Sequence, residues 1–248
     1  MRILLIDIET APNLAHVWGL WQQNVAISQL MECGYTLCWA AKWLGEPKIF
    51  FNSRETATTE DMLVGIHELL NEADAVIHYN GKRFDIPTLN KDFLENNFAP
   101  PSPYKQIDLL QTAKAEFRFP SNKLEYVTKA LGVGKKIKTC GHELWVKCMA
   151  GDPQSWTDMI EYNINDVIIL EEVYLKLRPW IKGHANHALY TDDKEVCPNC
   201  GSKHYQKRGF AYTLTNKYQR MQCSDCGFWF REHKAATDKP GRKFVAIV

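Results

Sequence analysis

Short apolar runs and longer stretches of helical spacing alternate along the chain. Residues 2–7 form a short apolar run that reads as a buried strand. Residues 35–44 and 48–51 read as two more strands, joined by a turn at Gly45-Glu46-Pro47. The spacing predicts a hairpin beside the first strand. From 59 to 71 the period changes, and Met62, Ile66, Leu69 and Leu70 fall on one side of a helix. Residues 75–79 return to a strand, and a helix is predicted over 86–95. Residues 107–117, 123–131 and 141–149 read as short helices. The clearest helix starts at Asp152-Pro153, because Asp caps a helix N-terminus well and Pro suits the first helical position. Trp156, Ile160, Val167, Leu170, Tyr174 and Leu177 then recur at helical intervals, and Pro179 marks the end. Strands first, then helices alternating with strands, predict an α/β fold with a mixed central sheet.

The pattern fades after residue 180. Residues 1–180 read as one domain, 181–195 as a linker, 196–233 as a small cysteine-bearing module, and 234–248 as a loose basic tail carrying Lys239-Pro240-Gly241-Arg242-Lys243. No stretch approaches the roughly 18 apolar residues of a membrane helix. The opening run meets Asp7 too soon for a secretory segment. The expectation is a soluble cytoplasmic protein with no membrane partner. The formal net charge of +1 hides an asymmetry: Tyr190 onward holds eleven Lys/Arg against six Asp/Glu, and the remainder nineteen against twenty-three. A basic rear module suits contact with polyanions, and an acidic front is compatible with a carboxylate-lined metal site.

Three separated segments carry candidate chemistry. In Asp7-Ile8-Glu9-Thr10, at the end of the opening strand, alternation puts Asp7 and Glu9 on one face with an apolar residue between them aimed at the core. Two adjacent carboxylates repel unless cations sit between them, and hard oxygen ligands suit Mg²⁺ or Mn²⁺. In the segment from Val76 to Pro87, a strand, a polar turn with Gly81, and Asp85 at a helix start place another carboxylate at a sheet edge. In Tyr162-Asn163-Ile164-Asn165-Asp166 the i, i+4 spacing points Tyr162 and Asp166 at one spot.

In this order, the three segments resemble the motifs of the DnaQ-like, or DEDD, exonucleases: Asp-x-Glu, an Asp after Asn-x-x-x-Phe, and Tyr-x-x-x-Asp. The matching positions are Asp7, Glu9, Asp85 (with Asn80 and Phe84), Tyr162 and Asp166. Glu161 stands where the other branch has His, so the chain resembles the DEDDy branch. The resemblance covers about residues 1–180. It implies a ribonuclease-H-like fold, with a mixed central sheet flanked by helices, and 3′–5′ exonuclease activity with two Mg²⁺ or Mn²⁺ ions. By the same resemblance, Asp7 bridges both ions, Glu9 and Asp166 hold the one that binds the attacking water, and Asp85 supports the second, largely through water. Tyr162 orients that water. The expected substrate is single-stranded nucleic acid, DNA favoured over RNA, and the layout resembles stand-alone phage and bacterial exonucleases. An exoribonuclease and a catalytically silent nucleic-acid-binding adaptor are the alternatives.

Around these motifs, Thr10, Asn80, Lys82, Arg83 and Lys136 are candidate substrate contacts. Phe84 is a candidate to stack on a terminal base, although a core position is the blander expectation. Trp18 and Trp21 are expected to pack on the sheet.

The rear module holds Cys197-Pro198-Asn199-Cys200-Gly201 and Cys223-Ser224-Asp225-Cys226-Gly227. Two C-x-x-C pairs predict a zinc ribbon in which Cys197, Cys200, Cys223 and Cys226 close a tetrahedral structural Zn²⁺ site with no open position for chemistry. Strands are expected at 207–215 and 217–222. Arg208, Arg220 and their basic neighbours interleave with aromatics, which suits single-stranded nucleic acid. Docking of a protein partner through the ribbon is the other role considered. The remaining cysteines, Cys33, Cys38, Cys140 and Cys148, are expected as free thiols.

Overall fold

The computed structural model describes residues 1–236. Most of the expected basic tail, residues 237–248, lies outside the described residues. The chain divides into two compact units, Arg2–Tyr174 and Leu175 onward.

The first unit runs β1 (Ile3–Thr10), β2 (Leu14–Ala15), β3 (Leu30–Glu32), β4 (Thr36–Trp43), β5 (Ile49–Ser53), α1 (Thr59–Glu72), β6 (Ala75–His78), α2 (Asp85–Glu95), β7 (Lys105–Asp108), α3 (Leu109–Glu116), α4 (Leu124–Leu131), α5 (His142–Met149) and α6 (Pro153–Leu177). Five strands form one mixed sheet in the order β5-β4-β1-β6-β7. β4 and β5 pair antiparallel, as the predicted hairpin beside β1, while β1, β6 and β7 are parallel.

Alternation along β1 sets the layers. Leu4, Ile6 and Ile8 pack with Met62, Leu63 and Ile66 of α1 and Ile86, Leu89 and Phe93 of α2. Asp7 and Glu9 alternate with these residues and so face the other way. Another cluster joins Leu37 and Cys38 of β4 to Leu144 and Cys148 of α5 and Trp156, Met159 and Tyr162 of α6. Each fully buried side chain of this size contributes about 1.5–3 kcal/mol, so both helical layers hold the sheet firmly. α6 begins as its sequence predicts: Asp152 Oδ2 accepts the Ser155 N–H at 2.9 Å.

Two expectations need correction. Residues 107–117 are not all helix: Lys105–Asp108 is a strand at the sheet edge, and the helix begins only at Leu109. Lys-Gln-Ile-Asp has one apolar residue and no alternation, so its pairing with β6 is invisible locally. Trp18 and Trp21 do not pack on the sheet: they are 98% and 86% exposed. They lie between β2 and β3, which form a two-stranded sheet of their own.

In the second unit, short 3₁₀ turns at Arg178–Trp180 and His187–Leu189 precede β8 (Tyr205–Tyr212), β9 (Lys217–Cys223) and β10 (Trp229–Arg231). The three strands form an antiparallel sheet in the order β10-β9-β8. β10, three residues long, escapes a reading based on alternation. Among the described residues, no helix is long and apolar enough to cross a membrane.

Candidate metal centre

Asp7 and Glu9 leave β1 on the face that α6 covers, and Asp166 arrives from the middle of that helix. One carboxylate oxygen from each of the three lies within 4.8 Å of the others. Asp85 stands outside this trio but beside the same strand, where its Oδ1 accepts the Ile8 N–H at 3.2 Å. The turn that delivers Asp85 is tightly specified. Asn80 adopts a left-handed φ of 72°, its N–H bound to Asp108 Oδ1 at 3.0 Å. A Cβ at Gly81 would fall 2.3 Å from the His78 ring, so only glycine fits.

The acids are crowded: Asp85 and Asp166 are buried, and Asp7 and Glu9 half-buried. Burial pushes Asp7 well above the usual carboxylate range, and the charges of Glu9, Asp85 and Asp166 push it further. Burial, then Asp166, raises Glu9 to about 8. Burial raises Asp85 to about 7, against the pull of its own and the Ile8 backbone N–H. Asp166 is also raised by burial, while Lys136 and a hydrogen bond from Tyr162 work against it. Asp166 Oδ1 is buried with no hydrogen-bond partner. A dry carboxylate oxygen with no donor, among three acids of raised pKa, fits a divalent cation of the hard class. Asp7, Glu9 and Asp166 fit one ion, and Asp85 is near enough to couple electrostatically with Asp7 and Glu9.

Three contacts here lay beyond the sequence reading. Asn163, fully buried, donates from Nδ2 to Asp7 Oδ2 at 2.7 Å. Its position three before Asp166 on the same helix face was the available signal. Trp145 Nε1 donates to Glu9 Oε2 at 3.2 Å, and its ring meets Tyr162 edge-on at 5.9 Å. Lys136, expected as a phosphate contact, pairs with Asp166 at 2.7 Å and lies 4.8 Å from the Tyr162 ring centre. Burial works to lower Lys136, but the charge and hydrogen bond of Asp166 outweigh it and hold it above its ordinary value.

The other expected contacts fall in several places. Asn80 and Lys136 line one cavity of about 550 Å³ with Tyr79, Lys114, Asn122 and Lys123. Thr10 and Phe84 line another of about 420 Å³ with Lys91. Phe84 is 44% exposed, so the core position expected for it is wrong: it stands at the helix entry, outside the packed face of α2. Lys82 and Arg83 are exposed, and Lys82 Nζ donates to Gln111. Arg208 and Arg220 belong to the second unit.

The four predicted cysteines also gather there. Sγ–Sγ separations are 3.7 Å for Cys197–Cys226 and 3.6 Å for Cys200–Cys223, and no disulfide joins any of them. Four thiolates about 2.3 Å from one tetrahedral ion would be about 3.8 Å apart, so the cluster fits zinc. Gly201 and Gly227, with φ of 76° and 78°, turn the two knuckles as their sequence suggested. His204 stands apart, facing Asp225.

The raised acids make a pH prediction. Without added Mg²⁺ or Mn²⁺, Glu9 near 8 and Asp85 near 7 bind more protons folded than unfolded. Their contribution to stability is therefore present at low pH and lost as pH rises from about 4 to about 8. Thermal melts of wild type and Glu9→Gln should converge near pH 4, and wild type should fall below the variant near pH 8. Mn²⁺ should reverse the deficit at pH 8. A difference that does not change with pH would contradict the crowding.

A sequence model of the RNase H superfamily matches residues 45–178, more than half of the chain. Asp85, Tyr162 and Asp166 lie within the match, and Asp7 and Glu9 precede it. Among solved structures, the chain is similar to the family B DNA polymerase from the hyperthermophilic archaeon Pyrobaculum calidifontis, with a TM-score of 0.53 and 16% identity over 72% of this chain and 25% of the polymerase. The match thus spans a quarter of the polymerase's length, and at this identity it shows a shared fold. None of the curated proteins compared with the chain matches it. The ribonuclease-H-like fold implied by the three motifs is the fold found, with a small antiparallel sheet and a cysteine cluster behind it.

Proposed function

The chain belongs to the RNase H superfamily, and on that premise we propose that it is a 3′–5′ exonuclease of the DnaQ-like, DEDDy kind. It releases nucleoside 5′-monophosphates from the 3′ ends of single-stranded DNA. One observation carries the reading: acids from distant segments converge, and a buried oxygen of Asp166 lacks any donor. Likeness to part of a DNA polymerase favours DNA over RNA.

Two bound Mg²⁺ or Mn²⁺ ions would supply an activated water and stabilisation of the leaving oxygen. Asp7, its carboxylate oriented by Asn163, would be the central ligand. Glu9, held by Trp145, and Asp166 would hold one ion with it, and Asp85 would support the second. Burial, then the charge of Asp166, holds the Tyr162 hydroxyl above its ordinary value, so it stays protonated near neutrality. It would position the attacking water by hydrogen bonding and take no proton. Lys136 balances the acids' charge; it also lines the cavity with Asn80, where it can meet a substrate phosphate. Cys197, Cys200, Cys223 and Cys226 would hold one structural Zn²⁺, closed to chemistry.

Purified protein with Mg²⁺ or Mn²⁺, given 5′-labelled DNA and RNA oligonucleotides, should yield a ladder that shortens from the 3′ end, faster on DNA. Faster shortening of RNA would make it an exoribonuclease. Substrates bound but left intact would make it an adaptor. Tyr162→Phe should lower kcat about 10²-fold, the size of effect that misplacing a reacting group produces, with little change in metal affinity. An unchanged kcat would remove Tyr162 from the site.

A further inference from the structure

The second unit carries a surface that the cleavage chemistry does not use. In β8, β9 and β10 the pairing register puts Gln206, Gln222 and Trp229 in one cross-strand row and Arg220 opposite Arg231 two residues further along, on the same face. Residues two apart share a face, so Tyr218, Arg220, Gln222, Trp229 and Arg231 lie together. Arg208 joins them at the bulge after Lys207, where its backbone carbonyl accepts the Arg220 Nε–H at 3.0 Å. The opposite face holds Tyr205, Met221, Cys223 and Phe230, of which Met221 and Cys223 are buried, so this is the sheet's packed side.

Charge and stacking on the outer face are unusual. Arg208, Arg220 and Arg231 are exposed, and Trp229 is 46% exposed. The Arg231 guanidinium lies 3.6 Å from the Tyr218 ring centre and that of Arg220 4.9 Å from the Trp229 ring centre. No residue of the three strands is acidic. Like charges directly opposite each other across strands destabilise a sheet, and Arg220 and Arg231 are such a pair. The ring contacts hold the guanidiniums flat without neutralising them, and among the described residues no acid pairs with Arg220 or Arg231, so the face can take an anion. Flat guanidiniums beside an exposed indole offer both a phosphate contact and a stacking plane, the combination that single strands use and an acidic peptide does not need.

We infer that this arginine–tryptophan face is a second binding surface for single-stranded nucleic acid. It deepens the exonuclease reading by adding a grip on the strand, and it rests on the register and charges of the second unit, not on the carboxylates.

The test uses the full chain with Asp7→Asn, so that cleavage does not intervene, and anisotropy of 5′-fluorescein-labelled dT20 over a range of salt. Arg220→Glu with Arg231→Glu should weaken binding at least about tenfold. It should also reduce the slope of log affinity against log salt by about 1.4, since each lost phosphate contact on a single strand removes about 0.7. Trp229→Ala should weaken binding about tenfold with little change of slope. Zinc content reports whether the sheet is intact; should the double variant lose zinc, Arg231→Gln alone should lower the slope by about 0.7. Unchanged affinity and slope in zinc-replete variants would overturn the inference. Competition by polyglutamate equal to that by unlabelled dT20 would overturn it too, in favour of protein docking. Separately, the chain with Asp7 in place should hydrolyse the p-nitrophenyl ester of thymidine 5′-phosphate when Mg²⁺ or Mn²⁺ is added. Absence of that activity would count against the nuclease reading alone, leaving the binding result to judge this one.

Discussion

Asp7→Asn should abolish cleavage, lowering kcat by at least about 10³-fold, and leave the fold intact. Metal-assisted charge stabilisation is worth several kcal/mol, and each 1.36 kcal/mol is tenfold in rate. Asp7 stands where that loss is greatest, because it couples to Glu9, Asp85 and Asp166 alike. The same substitution should stabilise the protein when no Mg²⁺ or Mn²⁺ is added. Asparagine removes one of the crowded charges and still offers an oxygen to Asn163 Nδ2. For a domain of this size each kcal/mol moves Tm by about 2–4 °C, so a rise of a few degrees at pH 8 is expected by scanning calorimetry. A variant that cleaves at the wild-type rate, or melts well below wild type, would contradict the role given to Asp7.

The second large effect concerns the cysteines. Cys223→Ala should lose the zinc and unfold the ribbon. Beyond Ile181 the described hydrophobic residues that are buried are Val196, Cys197, Met221 and Cys223, two of them zinc-site cysteines. Three short strands with so few buried side chains cannot offset their own ordering entropy. Zinc binding, worth roughly 10–16 kcal/mol in small zinc-folded peptides, would supply the difference. Limited proteolysis of the variant should cut within 190–236 and leave residues 2–174 protected, with zinc content falling to zero. A protease-resistant, zinc-free ribbon would contradict this.

Local pattern carried much of the fold. The i, i+2 acids of β1 and the capped, periodic α6 depend on near neighbours, and both are where the sequence puts them. The knuckle glycines were legible for the same reason, since the turn chemistry is contained within five residues. What stayed hidden depends on distant partners. β7 is a strand only because β6 lies beside it. Trp18 and Trp21 look like core residues because size and apolarity are local, whereas a covered sheet face is not. Lys136, Trp145 and Asn163 reach the acids from 30 to 156 residues away in sequence. Apart from the helical spacing of Asn163 from Asp166, nothing local marks them, and only the assembled site shows that one balances charge, one holds Glu9 and one orients Asp7.

The most direct measurement is anomalous diffraction from a crystal soaked in Mn²⁺. Two peaks about 4 Å apart are expected: one ligated by Asp7, Glu9 and Asp166, the other shared by Asp7 and reached from Asp85 through water, with the Lys136 ammonium displaced from Asp166. Manganese bound elsewhere, or a cluster still closed by Lys136 at saturating metal, would contradict the account.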